Sequence, residues 1–163
     1  LNAAGVRSKM DDSDNSPGWK FAEYEMKGVP VRVEIGPKDM EKEQCVIARR
    51  DTGEKVFVPL AELEETVKKL LDAVHDNMYA MALKNREENT FDITSPAEAK
   101  AVTSGKGGFL RSKWCGSLAC ELAMKEQAGV SSRCMPLEQS GTEGVCPVCG
   151  KKCTTDIYWG VAY

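Results

Sequence analysis

The chain has 163 residues, 42% hydrophobic and 29% charged, which describes one ordinary globular domain or two small ones and excludes a disordered chain. Lys and Arg number 22 against 25 Asp and Glu, a net charge of −3, which excludes a general polycationic grip on nucleic acid and leaves only local recognition. No run of about 18 apolar residues is present, so no membrane partner is expected.

The chain opens Leu1-Asn-Ala-Ala-Gly-Val without a Met, which reads as an entry at the end of a helix and as a piece of something longer. Residues 6–12 alternate enough to be read as a strand running into a polar turn. Ser16 before Pro17 supplies an N-cap and a proline at the first helical position, predicting a helix over 18–27 that Gly28 ends. Residues 31–36 alternate apolar and charged side chains, the pattern of a half-buried strand. Residues 45–50 and 54–59 flank Asp51-Thr-Gly53 and read as a β-hairpin. From Leu60 the period changes. Leu60, Leu63, Val67, Leu70, Leu71, Val74, Met78 and Met81 recur at three- and four-residue steps, predicting a helix to about Asn89 whose stripe is core. His75, the only histidine, lies beside that stripe and is assigned a structural role.

Ile93 opens a second unit, so domains are expected at 1–92 and 93–163. Ser95-Pro-Ala-Glu98 has the spacing of a capping box with proline at the first helical position. Gly105, Gly107 and Gly108 end that helix, residues 109–114 read as a strand, residues 121–128 as a short helix, and residues 155–163 as a terminal strand.

Two tight cysteine pairs stand in this second unit. Cys115 and Cys120 enclose four residues, Cys146 and Cys149 enclose Pro147-Val148, and 25 residues separate the pairs. That spacing is the one by which two knuckles deliver four thiolates to a tetrahedral zinc ion. Four thiolates leave no open coordination position, so the site reads as structural. Cys153 is an alternative ligand, Cys134 lies between the pairs, and Cys45 reads as a small buried apolar residue. Disulfides are the competing reading, but seven cysteines is an odd number and a reduced, cytoplasmic setting is expected. A dithiol redox enzyme using Cys146 and Cys149 would need the pair at the start of a helix, where Gly150-Lys-Lys-Cys instead reads as turn.

Four charged residues of the first unit form a second constellation: Glu25, Arg32, Lys38 and Asp39. Helix followed by strand brings them toward one sheet edge. Glu and Asp accept from the N1–H and N2–H₂ donors of guanine, while Arg and Lys donate to its O6 and N7. Single-stranded RNA bases are read on such edges. Solvated surface ion pairs of little energetic weight account for the same residues.

The residues carrying these charges, Gly18-Trp-Lys-Phe21, Glu23, Glu25, Lys27-Gly-Val-Pro30, Arg32, Glu34 and Gly36-Pro-Lys-Asp39, closely resemble a stretch of prolyl-tRNA synthetases of the archaeal/eukaryotic-like form. Asp11-Asp12, Ser132-Arg-Cys-Met-Pro136, the two cysteine pairs and the closing Tyr163 resemble the same family, so the likeness covers essentially the whole chain. The resemblance implies an α/β chain, α+β overall: a class IIa anticodon-binding domain with a mixed sheet flanked by helices, then a small α+β zinc-binding domain. It implies that Glu25, Arg32, Lys38 and Asp39 read the guanines at the second and third positions of the proline anticodon. It also implies that Cys115, Cys120, Cys146 and Cys149 hold a structural zinc, and that Tyr163 reaches toward the active site of the parent. That parent would be a proline-tRNA ligase, a homodimer that uses ATP and Mg²⁺ and charges tRNA(Pro). The class II catalytic motifs are not in the chain, and the anticodon domain's first strand and most of its first helix are expected before Leu1. No residue of this chain is therefore assigned a catalytic role. Its partners would be the anticodon and the parent's catalytic domain. The alternative is a stand-alone zinc-containing module that binds RNA or protein.

Overall fold

A computed structural model describes residues 1–162 and divides them into two compact units that meet between Ala82 and Leu83. In the first unit, Ser16 accepts a hydrogen bond from the Trp19 amide with its side chain and Pro17 occupies the first turn, so helix α1 runs Pro17–Met26. Strand β1 (Val31–Glu34), the short helix α2 (Pro37–Glu41), and strands β2 (Gln44–Arg49) and β3 (Lys55–Pro59) follow. The three strands form an antiparallel sheet in the order β1-β2-β3.

Strand alternation sorts this sheet into two faces. Val31, Val33, Cys45, Ile47, Val56 and Val58 pack with Val67, Leu63, Leu70 and Leu71 of helix α3 (Leu63–Glu88) to form the core. Cys45 is fully buried, as its reading as a small apolar residue requires. The other face carries Arg32, Glu34, Ala48 and Lys55; Arg32 lies opposite Ala48, which lies opposite Lys55.

The second unit contains β4 (Thr90–Asp92), α4 (Pro96–Ser104), β5 (Phe109–Trp114), α5 (Leu118–Ala128), β6 (Val130–Cys134), the two-residue strands β7 (Gly144–Val145) and β8 (Lys152–Cys153), and β9 (Thr155–Val161). Its main sheet has the order β4-β5-β9-β6, with β4 and β5 parallel and the other pairs antiparallel. Ala99 of α4 and Met124 and Ala128 of α5 cover a core of Ile93, Leu110, Val130, Ile157 and Trp159. The buried indole of Trp159 donates to the Ser112 hydroxyl at 2.9 Å, which settles its one polar atom. A side chain at Gly108 would meet the Asn89 carbonyl at 2.5 Å, and its φ of +129° is itself a glycine conformation.

Several expectations are corrected. Residues 6–12 form no strand: Asn2 Oδ1 binds both the amide and hydroxyl of Ser8, Asp11 binds those of Ser13, and Val6 packs against the core from irregular chain. Local side-chain hydrogen bonds win there because no neighbouring strand competes. The mixed sheet belongs to the second unit, not the first. Residues 90–92, which carry no local period of their own, form a strand that pairs with β5, a non-local partner invisible to local periodicity. Helix α5 begins at Leu118 instead of 121, so Cys120 sits in its first turn. Of the predicted stripe, Val67 and Val74 are buried, but Leu60, which precedes α3, and Met78 and Met81 within it are exposed, as is His75. Among the described residues no helix is long and apolar enough to cross a membrane.

Lys113 Nζ sits 2.5 Å from Asp156 Oδ1, and the Ser140 amide donates to Asp156 Oδ2 at 2.8 Å. The Lys113 and Ser140 bonds hold the Asp156 carboxyl down at about 2 against the opposing effect of burial. A depressed carboxyl contributes stability above its unfolded value near 3.8 and loses it as pH falls toward 2. Urea titrations of tryptophan emission as pH falls from about 6 toward about 2 are expected to show that loss, and Asp156→Asn to flatten it.

Candidate functional sites: a cysteine cluster and a charged sheet edge

Cys115 leaves the end of β5, Cys120 sits in the first turn of α5, and Cys146 and Cys149 lie in the turn between β7 and β8. That turn is closed by the Gly150 amide donating to the Cys146 carbonyl and the Cys146 amide donating to the Lys151 carbonyl, both at 2.9 Å. Gly150 takes φ +69°, which only glycine adopts freely. The four sulfurs lie within 4.8 Å of one another, with Cys115 at 3.6 Å from Cys120 and 3.8 Å from Cys149. A tetrahedron of thiolates at about 2.3 Å from a zinc ion has edges of about 3.8 Å, so the cluster could hold a metal ion.

The electrostatics agree with that donor set. Burial resists ionisation of Cys146, but the amides of Cys149 and Val148 and contacts from Cys115 outweigh it and bring the thiol to about 7. Burial pushes Cys120 up to about 12, reinforced by its contacts with Cys115, Cys149 and Cys146. Four thiolates this close ionise together only with a cation among them. Cys153, on β8, lies outside the four; burial and then the negative charge of Cys146, Cys115 and Cys149 raise its thiol. Cys134 is exposed at the end of β6. The Cys146–Cys149 turn starts no helix, which removes the structural premise of the redox reading.

In the first unit the structure brings Glu25 and Arg32 together and leaves Lys38 and Asp39 on α2. Arg32 Nη1 donates to Glu25 Oε1 at 2.6 Å and Arg32 Nε to Glu34 Oε1 at 3.0 Å. Its guanidinium lies over the Phe21 ring at 3.8 Å, a stacking distance. Asp39 caps its own helix: Oδ2 accepts from the Gly36 amide at 3.0 Å and Oδ1 from Gln44 Nε2 at 3.1 Å. The Gln44 bond and then the Gly36 bond lower its pKa. Lys38 is exposed. Tyr24, Arg49, Arg50 and Lys55 join Glu25 and Arg32 around a shallow depression of about 80 Å³. Sequence reasoning missed these four. The Arg49-Arg50 pair before the hairpin turn was the signal available for two of them. Tyr163 lies outside the described residues.

Residues 1–70 match the family model described as an anticodon binding domain, and residues 96–163 the one described as prolyl-tRNA synthetase, C-terminal. The chain is 51% identical over 158 residues to proline–tRNA ligase 2 of Bacillus thuringiensis (strain Al Hakam), covering 97% of this chain and 33% of that protein. It is 52% identical to the proline–tRNA ligase of Clostridium novyi (strain NT), with the same coverage. The solved prolyl-tRNA synthetase of Cryptosporidium parvum, complexed with L-proline and AMP, superposes with a TM-score of 0.91 at 30% identity, over 100% of this chain and 35% of that one. The chain thus spans about a third of the length of the curated relatives it matches. An anticodon-binding match followed in order by a synthetase-specific C-terminal match, on a chain half-identical to such ligases almost end to end, leaves one assignment: the chain belongs to the prolyl-tRNA synthetase family and corresponds to its C-terminal third.

Proposed function

We propose that this chain supplies anticodon recognition and a structural zinc domain to a proline-tRNA ligase. The parent activates proline with ATP and Mg²⁺ and esterifies it to tRNA(Pro). The observation that carries the reading is the order of the two family matches, at 1–70 and 96–163, on a chain whose relatives are ligases about three times its length. A stand-alone RNA- or protein-binding module is not favoured by relatives in which this segment is a third of the whole.

In this reading Glu25 and Arg32 meet guanine edges directly. Arg32 keeps its Nη2 donors for O6 and N7, and Glu25 accepts from N1–H and N2–H₂. Lys38 and Asp39 serve the neighbouring guanine from α2; Asp39 has lone pairs left beyond its two capping bonds. Cys115, Cys120, Cys146 and Cys149 hold the zinc. The catalytic domain of the parent, a homodimeric assembly and a cytoplasmic, reducing setting belong to the same proposal, as does the reach of Tyr163 toward the parent's active site.

The test is binding of the purified chain to tRNA(Pro) anticodon stem-loop RNA, against the same RNA with adenines replacing the two guanines. A preference of about tenfold or more for the guanine RNA is expected. Equal binding of both RNAs would overturn anticodon reading by this chain.

A further inference from the structure

Arg32 is held from three sides, and only one of them belongs to the residues proposed to meet guanine. The second is Phe21, beneath the guanidinium. The third is Glu34, two residues along β1 and therefore on the same sheet face. Glu34 Oε1 accepts from Arg32 Nε at 3.0 Å and also from Lys55 Nζ at 3.0 Å, and Oε2 accepts from Lys55 at 3.3 Å. Lys55 comes from β3, two strands away, and reaches across to Glu34 over Ala48, which lies between Arg32 and Lys55 and carries only a methyl group. The Glu34 side chain is 23% exposed and the Arg32 side chain 20%, so both are sheltered enough for geometry to be fixed rather than averaged. Burial opposes the charge on Glu34, and the bonds from Lys55 and Arg32 outweigh it and lower its pKa.

An arginine has five N–H donors in a rigid fork. With Nε committed to Glu34 and one Nη1 hydrogen to Glu25, the fork can rotate about neither bond without losing a partner. Its Nη2 edge is left presented in a single orientation. A base edge is told from another by placing donors within a few tenths of an ångström, so a fixed fork discriminates where a mobile one only attracts.

We propose that Glu34 is a positioning residue for guanine recognition: together with Lys55 it locks the Arg32 guanidinium in the orientation that distinguishes guanine from adenine. The proposal rests on the reading of Arg32 as a guanine reader. Glu34 itself touches no base. Its carboxylate works through Arg32, and Lys55 neutralises the charge it would otherwise bring toward the RNA.

The experiment measures binding of the full chain to anticodon stem-loop RNA carrying guanine or adenine at each of the two positions, for wild type, Glu34→Ala, Glu34→Gln, Arg32→Ala and Arg32→Ala/Glu34→Ala. Glu34→Ala is expected to cut the guanine-over-adenine ratio about tenfold, within the range of couplings between contacting residues. Glu34→Gln retains an acceptor for Arg32 Nε and is expected to keep most of the ratio. In the Arg32→Ala background, removing Glu34 is expected to change the ratio no further, since nothing remains to be positioned. A purely structural Glu34 would lower affinity for both RNAs alike and add to the Arg32 loss, and either result overturns the proposal. Thermal melting of each variant separates misfolding from mispositioning, and Glu34→Gln carries the test if Glu34→Ala unfolds. If the wild-type chain shows no guanine preference, anticodon reading itself fails. If wild type and Glu34→Ala discriminate equally, only the role of Glu34 fails.

Discussion

Stripping metal from the chain with a strong chelator is expected to unfold the 83–163 unit. The core of that unit is small: among the described residues, one cluster of eight buried side chains dominated by Trp159, Leu110, Met124 and Ile157. A unit of this size has on the order of 4–12 kcal/mol of net stability at about 0.05–0.15 kcal/mol per residue. A structural zinc on four thiolates is worth on the order of 10 kcal/mol of apparent folding energy, about the whole of that margin. The four sulfurs come from three separate places, namely the end of β5, the first turn of α5 and the β7–β8 turn. Releasing them frees all three at once and leaves Cys120 in a site where burial disfavours its charge. The purified chain is expected to carry one zinc, with four thiols masked from a colorimetric disulfide reagent until chelator is added. Loss of near-ultraviolet circular dichroism from Trp159 and Trp114 is expected to follow the metal. Cys146→Ser is expected to mimic chelation, because it removes one of the two buried members of the four-sulfur set. A metal-free chain with native tryptophan signals and four freely reacting thiols would remove the zinc assignment.

What was legible in the sequence was what local chemistry decides. Ser16-Pro17 and Ser95-Pro96 each cap a helix where they stand, and both Ser side chains accept from the amide three residues on. The hairpin around Asp51-Thr-Gly53 and the existence of helix α3 follow from turn chemistry and period alone, though the burial of the whole stripe does not. The cysteine cluster was legible for the same reason, since each pair is a local turn and only the meeting of the two pairs is non-local. Strand β4 was not legible as a strand at all, because its partner lies about twenty residues away, across a parallel crossover. Strands β7 and β8, two residues each, carry no period to read. The surroundings of Arg32 were illegible in the same way. Phe21, Glu34 and Lys55 come from a helix and two strands, and nothing in their spacing says that they converge on one guanidinium.

That convergence decides how Arg32→Ala should behave. Loss of a good base contact is worth about 1–3 kcal/mol, roughly 5- to 150-fold in affinity. The larger end of that range is expected here, for an electrostatic reason. Removing the guanidinium leaves Glu25 without its 2.6 Å partner and Glu34 with Lys55 alone. Glu25, no longer compensated, then faces an incoming polyanion that previously met a balanced cluster. Arg32→Lys would restore the charge but not the planar fork, the stacking on Phe21 or the simultaneous bonds to Glu25 and Glu34. It is expected to recover affinity for both guanine and adenine stem-loops while leaving their ratio close to that of Arg32→Ala. Raising salt separates the two contributions further, because charge attraction falls with ionic strength and edge recognition much less. The deciding quantity is therefore the guanine-over-adenine ratio, measured at two salt concentrations for wild type, Arg32→Ala and Arg32→Lys. A ratio that survives Arg32→Ala while affinity drops would reduce Arg32 to an electrostatic contact. A ratio that collapses in both variants and is insensitive to salt identifies the oriented guanidinium, not its charge, as what reads the anticodon.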